Sequence, residues 1–537
     1  MNYEKIFRTW LDSPQLTEEE KAELRRYSEE EKQELFKPEP LRFGTAGIRT
    51  IVGLGTQRLN RFTCRWAIKG YSTYLKKKKE KPSVLVVYDK REHGYRLYLE
   101  AIFTLLKEGI NGYIVGPNNG AISTPIVSYL IRKKSLDGAV NITASHNPAN
   151  YNGMKLYDSL GKQLDVHEEK NLIKCLPSIE EAILLEVNEN IDKNELKWIT
   201  IAEINDYFKE TAENIATALD EETSGIKSQI RILFDGHHGT TAENMKMLMH
   251  DLGFTQFKEC NTDTDVINPE EASSFREVIR LAEKENIDYV CASDLDGDRG
   301  AIAERQEDGS WYFFNGNEIG IITAAFKVQF KKKLGKTYIV STNVTNTLIN
   351  KLFPNIPIHI TNTGFKNISE IVNREEKKGN NLLIAFEEAM GALIEPIHRE
   401  KDSYQQIAYL LEAIAYCKSN KHNLKKYLDM LISSVGVWKG LTDFYKGNNK
   451  NLDLITDSEK VKEKISELSG YSLEKIEIDQ EQGIVSWFMN QNSWIKFRYS
   501  RTEPKLKIYY NLFWKKENEL NRFINNFKAH LDSLFQI

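Results

Sequence analysis

Apolar and polar positions along the chain set out most of its elements before any chemistry is considered. In the first 37 residues Ile6, Trp10 and Leu11 are apolar, and a polar, Glu-rich stretch follows and ends at Lys37-Pro38, which predicts an amphipathic helical lead-in. Three short apolar runs then end in polar, turn-prone segments: Val84–Asp89, Ile230–Gly236 and Tyr338–Ser341. Each precedes a segment of helical period, so each predicts the opening strand of an α/β unit. The three units read either as an internal repeat or as unrelated strands of a large α/β protein. Charged stretches near 176–197 and 370–380 read as connections or surface helices. The last hundred residues change character, with strands expected at Ile484–Phe488, Trp494–Arg498 and Leu506–Tyr510. A helical apolar stripe follows through Leu520, Phe523, Ile524, Phe527, Leu531 and Leu534. That order predicts a compact α+β terminal domain.

A chain of 537 residues exceeds one ordinary core and implies three or four domains. Hydrophobic residues at 41% and charged residues at 28% supply both cores and solubility, so the whole chain reads as globular. The net charge of -4 leaves no electrostatic footprint for nucleic acid or an anionic membrane, and the Lys76–Lys79 run reads as a solvated helix end. Met1 to Lys21 mixes charge into its apolar positions, unlike a signal peptide, and no stretch approaches the ~20 apolar residues of a membrane span. Cys64, Cys175, Cys260, Cys291 and Cys417 lack CxxC spacing, which argues against a zinc site or disulfide framework and for reduced thiols in a cytoplasm.

Four polar segments at strand ends carry candidate chemistry. Thr143-Ala144-Ser145-His146-Asn147-Pro148 follows the apolar run Ala139–Ile142 and leads into Asn152-Gly153-Met154-Lys155. A serine at a strand's exit presents its oxygen outward, His146 is placed to exchange a proton, and Lys155 to neutralise phosphate charge; a Ser-Asn-Pro turn is the plainer reading. Ser293-Asp294-Leu295-Asp296-Gly297-Asp298-Arg299 can aim three carboxylates at one hard cation, Mg²⁺ or Ca²⁺. An EF-hand is excluded, because Arg299 and Arg305 stand where its Gly and Glu belong, and Asp298 replaces the Thr of a DxDxT phosphatase. Arg498-Tyr499-Ser500-Arg501-Thr502-Glu503-Pro504-Lys505 reads as an anion pocket or a charged hairpin. Glu387-Glu388 in Phe386–Gly391 reads as a pair of acceptors for sugar hydroxyls or an acidic helix start. Together these are a nucleophile, a metal site, a hydroxyl-binding pair and a phosphate clamp, the parts for phosphoryl transfer on a sugar.

With Phe43-Gly44-Thr45-Ala46-Gly47-Ile48-Arg49 added, the same segments stand in the order found in the α-D-phosphohexomutase superfamily, and from about Arg42 onward the chain resembles it. The resemblance is strongest to the branch of bacterial phosphoglucomutases and animal phosphopentomutase-like enzymes. It implies a heart-shaped α/β molecule of four domains, three related α/β domains and a C-terminal α+β domain, divided here as 1–198, 199–334, 335–436 and 437–537. Ser145 would be the phosphoserine, and Asp294, Asp296 and Asp298 would hold Mg²⁺ together with an oxygen of the Ser145 phosphate. Arg49 and Lys155 would neutralise charge; Lys401, in Arg399-Glu400-Lys401-Asp402, would be the general base, with His146 as the alternative. Thr45, Arg299, Glu387 and Ala389 would meet the substrate, and Thr363-Gly364-Phe365-Lys366 would tell one sugar hydroxyl from another. Arg498, Ser500 and Thr502 would grip the distal phosphate, with Arg501 standing where Gly is usual and Ala389 where Ser is common. The implied activity interconverts glucose 1-phosphate and glucose 6-phosphate through a bisphosphorylated sugar, with glucose 1,6-bisphosphate as activator. Alternatives are a phosphopentomutase, a phosphomannomutase or a glucose 1,6-bisphosphate synthase; a phosphatase using Asp294 and a non-catalytic binder are rivals of another class. A cytoplasmic monomer or homodimer acting on small sugar phosphates, without nucleic acid or membrane partners, is expected.

Overall fold

The computed structural model describes residues 3–39, 41–44, 47–116, 120–188, 195–215, 220–264, 266–330, 335–446, 455–456, 458–468, 471–499 and 505–535. The lead-in is three short helices, Tyr3–Leu11, Glu18–Arg25 and Glu29–Leu35. Capping boxes at Thr17/Glu20 and Ser28/Glu31 start the second and third, which is why the stretch breaks. Trp10 is buried between Phe36 and Phe62, 5.2 Å from the latter's ring, so the lead-in is bound to the helix Arg61–Lys76.

The first sheet contains β1 (Ile48–Ile51), β2 (Ser83–Tyr88), β3 (Asn111–Val115), β4 (Gly138–Ile142), β5 (Tyr151–Tyr157) and β6 (Lys197–Ile199), in the order β1-β5-β4-β2-β3-β6. The second contains β7 (Ile232–Asp235), β8 (Phe257–Cys260), β9 (Tyr289–Ser293), β10 (Gly300–Arg305) and β11 (Trp311–Phe313), ordered β11-β10-β9-β7-β8. The third contains β12 (Thr337–Thr342), β13 (Ile358–Thr361), β14 (Asn381–Glu387) and β15 (Gly391–Leu393), ordered β13-β12-β14-β15. The three runs read from sequence are β2, β7 and β12, and each opens the same device. The opening strand pairs in parallel with the second and third strands of its unit, and the third pairs antiparallel with a fourth. The internal repeat is therefore real at the level of topology.

This repetition positions the chemistry. The turn between third and fourth strands carries Ser145 in the first unit (β4 to β5), the aspartates in the second (β9 to β10) and Glu387–Gly391 in the third (β14 to β15). The Glu387-Glu388 pair thus lies at a hairpin and not at a helix start, because β15 turns back on β14 with Glu387 opposite Gly391. The stretch 370–380 belongs largely to the helix Phe365–Lys377, which buries Val372.

The helix Ser403–Ser419 is buried along nearly its whole length and packs against both β10 and β15, joining the second and third sheets in one core. Ile407, Leu410, Leu411 and Ile414 form one apolar face of this helix, and its buried Gln405 side chain is hydrogen-bonded, accepting from the amides of Ile394 and Glu395. The helix Gly316–Phe330 packs on β14 of the third sheet, where Gly320 lets the ring of Phe386 come close.

The fourth sheet is wholly antiparallel: β16 (Val437–Lys446), β17 (Leu473–Asp479), β18 (Ile484–Met489), β19 (Ser493–Tyr499) and β20 (Lys505–Trp514), ordered β16-β20-β19-β18-β17. Leu520, Phe523, Ile524, Phe527 and Leu531 of the helix Glu517–Phe535 are buried on it; the Leu534 side chain lies outside the described residues. The edge strands β16 and β17 escape sequence reading, β16 because Lys439, Gly440 and Asp443 interrupt its apolar positions and β17 because it is rich in charge, running Leu-Glu-Lys-Ile-Glu-Ile-Asp. Val344 after β12 packs with Ile484, Trp494 and Tyr509, which seats the fourth sheet on the third. Among the described residues no helix is long and apolar enough to cross a membrane.

Candidate active site

The serine loop is held in a conformation it would not adopt alone. Ser145 has φ of 54°, a left-handed backbone that costs a non-glycine residue roughly 1–2 kcal/mol. Its amide donates to Thr143 Oγ1 at 2.9 Å, and that hydroxyl donates to Asp89 Oδ2 at 2.6 Å. Arg91 supplies the rest: Nη2 donates to the carbonyls of Ser145 (2.6 Å) and Asn147 (2.7 Å), and Nη1 to those of Pro148 (2.9 Å) and Tyr151 (3.2 Å). Asp89 pairs with Arg91 at 3.2 Å, both buried. Burial outweighs the arginine here and pushes the Asp89 carboxyl above its ordinary value.

The serine hydroxyl points at the metal loop. Ser145 Oγ donates to Asp294 Oδ2 at 2.6 Å and lies 3.2 Å from His146 Nδ1. Asp294, Asp296 and Asp298 are fully buried, and one carboxylate oxygen from each lies within 4.8 Å of the others. Burial and the other two carboxylates push Asp294 well above the usual range. Burial works the same way on Asp298, but Lys155, Lys401 and Arg299 overcome it and hold that carboxyl well below. Lys155 Nζ sits 2.7 Å from Asp296 and 2.8 Å from Asp298. Burial, together with Arg299, Arg49 and Lys507, pushes the His146 imidazole well below its ordinary value. Asp296 Oδ1 and Asp298 Oδ1 are buried without a hydrogen-bond partner. Three convergent carboxylates, with Asp296 Oδ1 unpartnered and Asp298 Oδ1 facing Lys401 at 3.4 Å, fit a hard divalent cation, which would remove the repulsion that otherwise burdens the trio.

The third unit closes on this pair. Lys401 Nζ is 3.4 Å from Asp298 Oδ1 and 3.9 Å from Glu387 Oε2. A Cβ on Gly391 would fall 2.1 Å from Lys401 Cδ, so the hairpin must have glycine there for the lysine to lie across it. Glu387 Oε1 accepts from the amide of Gly364, whose φ is 106°. Thr363 and Ala389 are half-buried in the same loops, whereas Lys366 is paired with Glu169 of the first unit at 2.8 Å. Arg49, on β1 opposite Gly153, donates to Asn147 Oδ1 at 3.1 Å, and its Nε has no hydrogen-bond partner. Arg498 is the cross-strand partner of Lys507, and its Nε is likewise unpartnered. Lys507 reaches Glu270 of the second unit at 3.3 Å, and the same carboxylate pairs with Arg299. Thr45, Ser500, Arg501 and Thr502 lie outside the described residues.

Models of the phosphoglucomutase/phosphomannomutase α/β/α domains I, II and III match residues 40–182, 205–309 and 315–434 in that order. The chain belongs to the phosphoglucomutase/phosphomannomutase family, within the α-D-phosphohexomutase superfamily. It is 32% identical over 523 residues to a phosphomannomutase of Mycoplasma genitalium, covering 94% of this chain and 93% of that one. It is 28% identical over 528 residues to a phosphoglucomutase of Staphylococcus saprophyticus, covering 90% and 94%. The open form of Paramecium parafusin shares the fold, with a TM-score of 0.71 at 18% identity over 94% of this chain and 97% of that one. The protein is thus a phosphosugar mutase, an isomerase that works by phosphoryl transfer.

Several parts of the mutase site went unread in the sequence. Asp89 and Arg91 form the polar end of an apolar strand, a signal that could have drawn attention to them. Glu270 and Lys507 offered none, being ordinary charges until the second and fourth units meet. Glu388, the neighbour of Glu387 in the hairpin, has partners of its own in the third unit. Its Oε2 accepts from Thr342 (3.2 Å) and Thr345 (3.4 Å), and burial, reinforced by Glu387, pushes its pKa up to about 6.

Proposed function

We propose that this mutase interconverts glucose 1-phosphate and glucose 6-phosphate through phospho-Ser145 and a glucose 1,6-bisphosphate intermediate. The observation that carries the reading is the Ser145 hydroxyl lodged 2.6 Å from Asp294 in a trio of buried aspartates. In the first half-reaction the bond between phosphorus and Ser145 Oγ breaks as a sugar hydroxyl oxygen forms its own bond to phosphorus. The proton of that hydroxyl passes to Lys401, which accepts it as the neutral amine, and the departing Ser145 Oγ takes up a proton to become the hydroxyl that donates to Asp294. After the bisphosphate turns over, Ser145 gives up its hydroxyl proton as Oγ attacks the other phosphate, the bond from that phosphorus to the sugar oxygen breaks, and the proton held by Lys401 goes to that oxygen. Asp294, Asp296 and Asp298 would hold a Mg²⁺ ion, which would neutralise the charge spread over the phosphoryl oxygens. Arg49 and Lys155 add positive charge, and Arg498, with Ser500, Arg501 and Thr502, grips the phosphate that is not reacting. His146, whose Nδ1 lies 3.2 Å from Ser145 Oγ and whose pKa is lowered by burial and three cations, is the alternative base.

Glu387 and the loop Thr363–Lys366 are read as the sugar contacts, with Arg299 and Thr45 completing the wall. Each of four units, 1–198, 199–334, 335–436 and 437–537, would give one loop to the cleft, and glucose 1,6-bisphosphate would activate by phosphorylating Ser145. Five free cysteines accord with a cytoplasmic enzyme. Mannose phosphates are the second reading, favoured by the phosphomannomutase of Mycoplasma genitalium at 32% identity. Coupled assays with glucose 1-phosphate, mannose 1-phosphate and ribose 1-phosphate, with and without glucose 1,6-bisphosphate, separate these. The highest kcat/KM for glucose 1-phosphate with stimulation by bisphosphate is expected. Conversion of none of the three by phosphorylated enzyme with Mg²⁺ present would refute the mutase reading, and a preference for mannose would replace glucose as the substrate.

A further inference from the structure

The metal loop belongs to the second unit, yet one of its aspartates is oriented from the first. Thr124 opens the helix Thr124–Lys134 in the first unit, and its amide donates to the Asp296 carbonyl at 2.8 Å. Its hydroxyl donates to Asp296 Oδ2 at 2.7 Å. A carboxylate only accepts, so the hydroxyl's single proton goes to Asp296, while its oxygen accepts from Asn141 Nδ2 at 2.9 Å and faces Lys155 Nζ at 3.4 Å, which hold the hydroxyl in place. Lys155 Nζ takes up the remaining capacity of Oδ2, leaving Oδ1 buried and without a hydrogen bond. All of these groups are inaccessible to water, so no solvent molecule substitutes for a missing member. Asn141 and Ser145 also lie four residues apart on one continuous stretch, β4 and the turn after it. The strand that delivers the nucleophile thereby sets the carboxylate across the domain boundary.

We propose that Thr124 is a positioning residue for the cation, turning Asp296 so that Oδ1 faces the site, and that Asn141 holds the Thr124 hydroxyl in the orientation this needs. The inference rests on the reading of the three aspartates as the cation site. It goes beyond that reading by making the first unit, through two residues that touch neither substrate nor cation, a determinant of cation affinity.

The test is direct binding of Mn²⁺, followed by electron paramagnetic resonance on the full-length dephosphorylated protein, with thermal midpoints in the absence of metal to monitor folding. Thr124→Val removes the hydroxyl at nearly constant volume and is expected to weaken Mn²⁺ binding about tenfold. Thr124→Ser restores the donor and should bind within about twofold of the natural protein. Ser123→Ala is the control, because Ser123 Oγ makes equally buried bonds to Thr240 Oγ1 (2.9 Å) and Tyr404 (2.8 Å) and none to Asp296. Unchanged affinity in Thr124→Val, failure of Thr124→Ser to restore it, or an equal loss in Ser123→Ala would each overturn the inference. Absence of Mn²⁺ binding by the natural protein would instead overturn the cation-site reading beneath it.

Discussion

Replacing Arg91 by methionine is the sharpest probe of how the serine loop is held. The substitution retains most of the side chain's bulk but deletes four hydrogen bonds to the carbonyls of Ser145, Asn147, Pro148 and Tyr151. It also strands Asp89, which is buried and has only Thr143 and the amide of residue 91 left as donors. Removing one partner of a buried ion pair costs about 3–5 kcal/mol. In a unit of about 200 residues that lowers the thermal midpoint by roughly 10 °C. The pH dependence gives the signature. Asp89 already has a folded pKa above its unfolded value, and losing Arg91 raises it further. The folded state then binds more protons than the unfolded one between those two values, so stability falls as pH rises through that window. The deficit of Arg91→Met against the natural protein should therefore shrink as pH falls toward the folded pKa. Activity should drop about 100-fold, because Ser145 loses the contacts that keep φ positive and its oxygen drifts from Asp294. Differential scanning fluorimetry between pH 5 and 8 and a coupled mutase assay make both measurements. A loss under about 1 kcal/mol, independent of pH, with full activity, would show that the loop holds its shape without Arg91 and refute the reasoning.

Ser145→Ala is expected to lower turnover by roughly three orders of magnitude or more while leaving the fold intact, measured by coupled assay and circular dichroism; a variant retaining activity would point to Asp294 as nucleophile. Gly391→Ala should push Lys401 aside, since the new Cβ meets its Cδ, and lower kcat about 100-fold with KM little changed. Glu388, with its folded pKa raised to about 6, contributes stability that is present below its unfolded value and lost as pH rises through 6. The difference is about 2 kcal/mol, and denaturant titrations from pH 4.5 to 7 should show it in the natural protein and a flatter profile in Glu388→Gln.

The sequence by itself determined whatever is local. The opening strands β2, β7 and β12 were legible because a buried parallel strand must be a continuous apolar run. The aspartate trio was legible because all three carboxylates lie within five residues, so their convergence needs only one turn with Gly297 at φ of 69°. Ser145, Lys155, Lys401 and Glu387 could be placed in one site because their motifs resemble those of a family, although nothing in their spacing requires them to meet.

Tertiary structure alone decided the rest, for a physical reason that is the same each time: a side chain's partner is chosen by how layers pack, and that information is not held within a few residues of either member. Thr124 and Asp296 are separated by 172 positions, Lys507 and Glu270 by 237, and Lys366 and Glu169 by 197. The triple repetition of one strand order became visible only once the pairings were known. It explains why three unrelated loop sequences meet: each is the same hairpin in its own sheet, and the packing of the sheets brings Ser145 to Asp294 and Lys401 between Asp298 and Glu387.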